Sequence, residues 1–216
     1  MATKKKSAKK AAPKAAKPIQ KKSTAEKYTG PGDGKMRCGW CLSDPIYVAY
    51  HDEEWGKPVH DDKILFEFLV LESFQAGLSW LTILRKRENF RKAFANFDVK
   101  KVAKYDQKKF DELMQNEGIV RNRLKIEAAI NNAQRFIEIQ KEFGSFDKYV
   151  WSFVDHKPLV NKLQSLRDIQ PKTAISDAMS KDMGKRGFKF RGSTICYAFM
   201  QAVGMVNDHV EDCWRK

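Results

Sequence analysis

From Arg37 onward, apolar residues return at intervals of three and four, the spacing that lines one side of an α-helix. The densest stretch runs through Ile64, Leu65, Phe66, Phe68, Leu69, Val70, Leu71 and Phe74. These positions cover nearly the whole circumference, so the helix is expected to be buried on all sides, with Asp61 or Asp62 as its cap. Gln75-Ala76-Gly77-Leu78-Ser79-Trp80 breaks the pattern: Gly77 ends this helix and Ser79 caps the next. The second helix turns Leu81, Leu84 and Phe94 inward and presents Arg85, Lys86, Arg87 and Arg91 as a basic outer face. Asp98 starts a short helical turn, and a helix from about Gln107 carries Phe110, Leu113 and Met114. Gly118-Ile119-Val120 interrupts the pattern before a long helix over about residues 121–143, with Ile126, Ala129, Ile130, Ala133 and Ile137 in line. A helix around Trp151 follows, then a loop through Pro158 and Pro171. The last two helices are expected from about Ser176 to Arg186 and from near Ser193 to Gly204. No strand pair and no internal repeat is evident. The predicted class is all-α, with one domain over residues 36–216.

Charge changes this picture at one end. Residues 1–35 hold eleven lysines against Glu26 and Asp33, a formal +9 of the chain's +14. This Lys/Ala/Pro-rich stretch has almost no apolar side chain to offset ordering entropy and is expected to be disordered. Its charge favours polyanions, nucleic acid before anionic membrane, although a solubilising tail would look the same. The chain has four cysteines and no apolar secretory segment, so a reducing compartment and metal binding are expected rather than disulfides. No apolar run approaches the ~20 residues that span a bilayer, and no membrane association is expected. The expected location is cytoplasmic and nucleoid-associated. Organellar or nuclear targeting by the tail stays open, although transit peptides favour arginine and this tail has none.

Three clusters carry candidate chemistry. Cys38 and His51 near the start, with His209 and Cys213 near the end, are the ligand types of a closed tetrahedral zinc site. Such a site would clasp the first ordered segment to the last. The Cys38-x2-Cys41 spacing leaves Cys41 as an alternative ligand, and reduced cysteines with hydrogen-bonded histidines leave no metal at all. The second cluster is the turn at Glu117-Gly118-Ile119-Val120-Arg121. A tight hairpin exposes backbone N–H groups at the next helix's N-terminus, where a phosphate can dock beside Arg121, Arg123 and Lys125. An ordinary interhelical turn gives the same pattern. The third is Glu72, a carboxylate on an all-apolar helix, which must be hydrogen-bonded, paired, protonated or functional. Tyr47, Tyr50 and Trp80 offer flat walls for a nucleobase, with Glu72 accepting from its amino group. A core carboxylate bonded to backbone or tyrosine is the plainer explanation.

Taken in order, these segments resemble the 3-methyladenine DNA glycosylase I family. The resemblance rests on Arg37-Cys38-Gly39-Trp40, Asp44-Pro45-Ile46-Tyr47, Ala49-Tyr50-His51-Asp52, Glu54-Trp55-Gly56, Leu71-Glu72, Gln75 to Trp80 and Lys86-Arg87-Glu88-Asn89-Phe90. It continues through Gly118-Ile119-Val120-Arg121, Val150-Trp151-Ser152-Phe153, Lys185 to Phe190, Ile195-Cys196-Tyr197 and Val206 to His209. It implies a helix-hairpin-helix DNA glycosylase fold with one structural Zn2+ on Cys38, His51, His209 and Cys213, Cys41 and Cys196 not being ligands. It also implies Glu72 as the base-recognising acid, with Trp40, Tyr47, Tyr50 and Trp80 around the base. DNA contacts would fall on Leu78, Gly118, Ile119 and Arg121, although the chain lacks the Leu-Pro-Gly-Val-Gly form of hairpin found in the wider superfamily. The implied partner is double-stranded alkylated DNA, the implied reaction release of 3-methyladenine without strand cleavage, and the protein is expected to be a monomer. Asp208, beside His209, is expected to support a ligand or cap a helix rather than act on the sugar. Two rival readings remain, a zinc-stabilised DNA-binding module without catalysis and a zinc hydrolase with an open coordination position.

Overall fold

Capping residues place most of the helices in the computed structural model, which describes residues 30–216. The tail expected over residues 1–35 lies, as far as residue 29, outside the described residues. Asp44 accepts the Ile46 N–H at 2.9 Å, and Pro45 supplies a preset φ, starting α1 (Pro45–Glu53). The Asp61 side chain accepts the Ile64 N–H to open α2 (Asp62–Gln75), in which every residue from Leu65 to Phe74 is buried. Ser79 caps α3 (Trp80–Ala93), Asp98 caps the short α4 (Val99–Val102) and Asp106 caps α5 (Gln107–Gln115). Asn122 caps α6 (Arg123–Phe143), so this helix starts two residues later than its apolar pattern suggested. Then follow α7 (Phe146–Trp151), α8 (Ala174–Lys185) and α9 (Ser193–Ala202).

The buried α2 is the axis of the molecule, with α3, α6, α7 and α9 packed around it. Aromatic rings fill the joints: Phe66 meets Phe136 at 5.3 Å between centroids, Phe136 stacks on Phe146 at 4.0 Å, and Phe74 meets Phe90 at 4.8 Å. Among the described residues, no helix is long and apolar enough to cross a membrane.

Three local expectations need correction. The aromatic-rich stretch after Trp40 holds a helix, α1, that its irregular apolar spacing concealed. A two-residue parallel pair exists, β1 (Leu159–Val160) with β2 (Val206–Asn207), too short to leave an alternating pattern. Arg87 does not belong to a basic outer face. It is drawn inward between Glu67 (2.6 Å) and Glu54 (2.7 Å), two acids that sit far from it in the sequence.

Candidate functional site

The segment around Met36 meets the segment around Trp214. Trp214 N–H donates to the Met36 carbonyl at 2.9 Å, and around that contact Cys38, His51, His209 and Cys213 converge. Their ligand atoms all lie within 4.8 Å of one another, and all four residues are buried. Cys38 Sγ is 3.6 Å from His209 Nδ1, while Cys213 Sγ is 3.4 Å from both His51 Nε2 and His209 Nδ1. Zn–S and Zn–N bonds in a tetrahedron separate neighbouring ligand atoms by about 3.3–3.8 Å, so these separations fit one ion. The remaining ring nitrogens are also occupied: His51 Nδ1 meets Asp52 at 2.8 Å and His209 Nε2 meets the Trp55 carbonyl at 3.2 Å. Such outer contacts fix ring orientation and tautomer around a metal. Arg37, itself buried, grips Asp52 and Asp33 together, with contacts of 2.7 and 2.6 Å. Asp33 and Lys35, which the sequence assigns to the tail, thus join the fold, Lys35 lying over the Trp214 ring at 4.1 Å. Burial pushes the Cys38 thiol up to about 12 and pulls His209 down to about 4. The imidazole is therefore in its ligating form, and the Cys38 thiol needs a cation nearby to ionise. Cys41 stands apart, its thiol donating to the Cys38 carbonyl at 3.1 Å.

The cavity of about 220 Å³ beside this cluster brings Trp40, Tyr47, Tyr50, Glu72 and Trp80 together. Trp40 lies 5.4 Å edge-on from Tyr47 and Tyr50 lies 5.4 Å from Trp80. Tyr47 is held by its hydroxyl, which accepts the Leu81 N–H at 2.9 Å at the start of α3. Glu72 is 4 % exposed, and its Oε2 has no hydrogen-bond partner among the described residues. Burial pushes its carboxyl up to about 8. Trp80 Nε1, lining the same cavity, is equally without a partner. Buried polar atoms are rarely left orphaned, so an unpaired carboxyl oxygen and an unpaired N–H around one cavity indicate a missing partner. The plainer reading of Glu72, a core acid bonded to backbone or tyrosine, is thereby excluded.

Sequence reasoning missed part of the lining. Trp55 stands only within the Glu54-Trp55-Gly56 match, and Gln75, Ile169, Ala198 and Gln201 are not singled out. Gln75 lies one turn beyond Glu72 on the same helix, a spacing that could have found it. Gln201 comes from α9 and carries no local signal. Asp208 proves to be neither a support for His209 nor a cap. Fully buried, it accepts from Asn161 (2.7 Å), Tyr197 (2.8 Å) and Gln201 (2.7 Å), and so fixes Gln201 at the cavity wall.

Two exposed turns stand near one another, the first between the cavity-lining Gln75 and Trp80 and the second bound to α3 through Lys86. Gly77, with φ of 77°, and the 40 % exposed Leu78 form the turn between α2 and α3. Residues 116–122 join α5 to α6. There a Cβ on Gly118 would lie 2.9 Å from Asn116 Oδ1 and 3.0 Å from Asn89 Cγ, so those side chains would have to give way. The Gly118 N–H donates to Asn116 Oδ1 and that of Ile119 to the Asn116 carbonyl, and the Ile119 side chain is buried. Neither offers a free amide. The amides of Val120, Arg121, Arg123 and Leu124 have no acceptor among the described residues, and the half-exposed Arg121 stands beside them. Lys125 is not part of this basic group, because its side chain is buried against the end of α2.

An aromatic cavity with one unpaired acid and one unpaired donor marks a mostly helical protein with a candidate site for a flat ring. Residues 40–216 match the sequence profile of the family described as "Methyladenine glycosylase", and the chain belongs to that family. It is 52 % identical over 177 residues to the DNA-3-methyladenine glycosylase 1 of Escherichia coli, covering 82 % of this chain and 95 % of that protein. It superimposes with a TM-score of 0.81 on a crystal structure of 3-methyladenine DNA glycosylase I, at 49 % identity over 83 % of this chain and 98 % of the other. The 3-methyladenine DNA glycosylase I of Staphylococcus aureus, solved to explain its recognition of 3-methyladenine, also gives 0.81, at 40 % identity over 83 % of this chain and 96 % of that one.

Proposed function

We propose that this protein hydrolyses the N-glycosidic bond of 3-methyladenine in alkylated double-stranded DNA. The products are the free base and an abasic site, and the strand is left uncut. The observation that carries this reading is the unpaired Glu72 carboxyl inside the aromatic cavity. An enzyme that acts on a base within a duplex must turn the nucleotide out of the stack, which costs least at a damaged pair. The Gly77–Leu78 turn is the wedge, and the α5–α6 connection is the helix-hairpin-helix grip on the backbone, through the amides near Arg121 and the N-terminal dipole of α6.

Methylation at N3 leaves adenine cationic, so its bond to the sugar is already weak. The rings of Trp40, Tyr47, Tyr50 and Trp80 attract a delocalised cation by their faces. In the empty cavity the Glu72 carboxyl keeps its proton at neutral pH, since its value is about 8. A cationic ring beside it favours the carboxylate, which accepts from the exocyclic amino group and stabilises charge until the bond breaks. Water then attacks the sugar carbon. Among the described residues Glu72 is the only acid lining the cavity, and no lysine lines it, which fits base release without strand cleavage.

One Zn2+ on Cys38, His51, His209 and Cys213 supplies folding energy by joining the chain's two ends, and four protein ligands leave it no open position for hydrolysis. The protein acts as a monomer in the cytoplasm, on the nucleoid. The deciding experiment treats duplex DNA with dimethyl sulfate, adds the purified protein and separates the freed purines by chromatography. 3-Methyladenine should appear, with strand breaks only after alkali. A folded, metal-loaded preparation that frees no methylated purine would refute the proposal.

A further inference from the structure

Two lysines cross-link the turn that ends α2 and the turn that starts α6. Lys125, in the first turn of α6, is 6 % exposed, and its ammonium donates to the carbonyls of Phe74 at 2.8 Å and Ala76 at 2.5 Å. Those carbonyls are the C-terminus of α2, the helix that carries Glu72. Lys86, on α3, reaches the opposite way and donates to the carbonyls of Glu117 at 2.9 Å and Gly118 at 3.3 Å. The Gly77–Leu78 turn is thus tied to the 116–122 connection from both of its flanking helices.

A buried ammonium is an expensive way to cap a helix. Water or a left-handed glycine satisfies terminal carbonyls at no desolvation cost, and Gly77 is already present with positive φ. A charged tether gains something neither of those provides, a fixed distance between two separate pieces of chain. The pieces are the exposed amides at the start of α6 and the exposed Leu78 beside the cavity.

We propose that Lys125 is a positioning residue for base eversion, holding the Gly77–Leu78 wedge in register with the backbone-binding start of α6. DNA docked on that start then meets the wedge at the step next to the base entering the Glu72 cavity. The inference rests on the glycosylase reading above and adds a residue that touches neither base nor sugar.

The test compares the full-length wild type with Lys125→Met and Lys86→Met in single-turnover base release. The substrates are two dimethyl sulfate-treated duplexes, one fully paired and one with its adenines in an unpaired bubble, where less unstacking is needed. A displacement of about 1 Å can cost ~100-fold in rate, so both variants should slow on the paired duplex by at least about tenfold. The deficit should shrink severalfold on the bubble, with binding of free 3-methyladenine unchanged. Equal deficits on both duplexes, or no deficit in either variant, would overturn the proposal. If Lys125→Met does not fold, Lys86→Met carries the same comparison, because its half-exposed side chain leaves the core intact. Wild-type protein releasing no base from either duplex would instead count against the glycosylase reading itself.

Discussion

On the proposed reading Glu72 carries the chemistry in one side chain, and its pH behaviour follows from its burial. A carboxyl moved from its ordinary 4.5 to about 8 keeps a proton that the unfolded chain has already lost. Between those values the unfolded state binds fewer protons, so stability falls as pH rises and is flat on either side. Glu72→Gln removes the slope. The variant should be more stable than wild type at pH 8 by at least about 1 kcal/mol, or ~2–4 °C in Tm, and the difference should vanish near pH 4.5. Thermal melts across that range measure it, and an equal difference at both ends would contradict the assignment. Base release by the same variant should drop about 100-fold with duplex binding little changed. A DNA-binding module without catalysis predicts no such separation.

At the level of elements, the end of α9 shows how backbone geometry seats the cavity wall. Gly204 has φ of 70°, and a Cβ there would collide with the Lys57 carbonyl and the Pro58 nitrogen. This close approach lets Gly56 N–H donate to the Gln201 carbonyl at 3.1 Å and Val59 N–H to the Val203 carbonyl at 3.0 Å. The segment after Trp55 is therefore stitched to α9. Gly204→Ala should lower stability by about 2–4 kcal/mol and Tm by about 5–15 °C, readable by calorimetry. An unchanged Tm would mean that the segment yields freely. The long helices were legible because caps such as Asp61, Ser79 and Asp98 coincide with changes in apolar period. α1 escaped notice although Asp44-Pro45 is a helix-start signal, because Val48 is the one aliphatic residue on its inward face, beside Tyr50 and His51. The strand pair depends on partners nearly fifty positions apart. Arg87 and Lys125 read as surface cations because the acids and carbonyls that draw them inward come from elsewhere in the chain. The residues of the cysteine–histidine cluster and the aromatic walls of the cavity were named from ordered short motifs. Gln201 and Ile169 were not, since only tertiary packing brings them there.

For the molecule as a whole, the cluster of cysteines and histidines is continuous with the cavity. The Trp55 ring lies 4.6 Å from that of His209, and Trp40 lies 5.5 Å from His51. Stripping metal with a chelator should therefore lower Tm by more than ~10 °C, alter tryptophan fluorescence and abolish base release together. Elemental analysis should find one zinc per chain, and a metal-free preparation with full activity would remove zinc from the account. Deleting residues 1–29, which leaves Asp33 and Lys35 in place, withdraws a formal +9. The log–log dependence of duplex affinity on salt should become shallower by at least about one unit, and an identical slope would leave the tail without a role in binding DNA.

The bond between Trp214 and Met36 has a consequence for how the chain is threaded. The folded part of the chain, from Met36 to Trp214, is in effect a loop, and its starting point is arbitrary. A short linker across that seam, with a new opening cut in the exposed bend around residue 170, should yield a circularly permuted protein of the same shape. Truncation that reaches Met36 or Trp214, by contrast, would break the loop at its fastening.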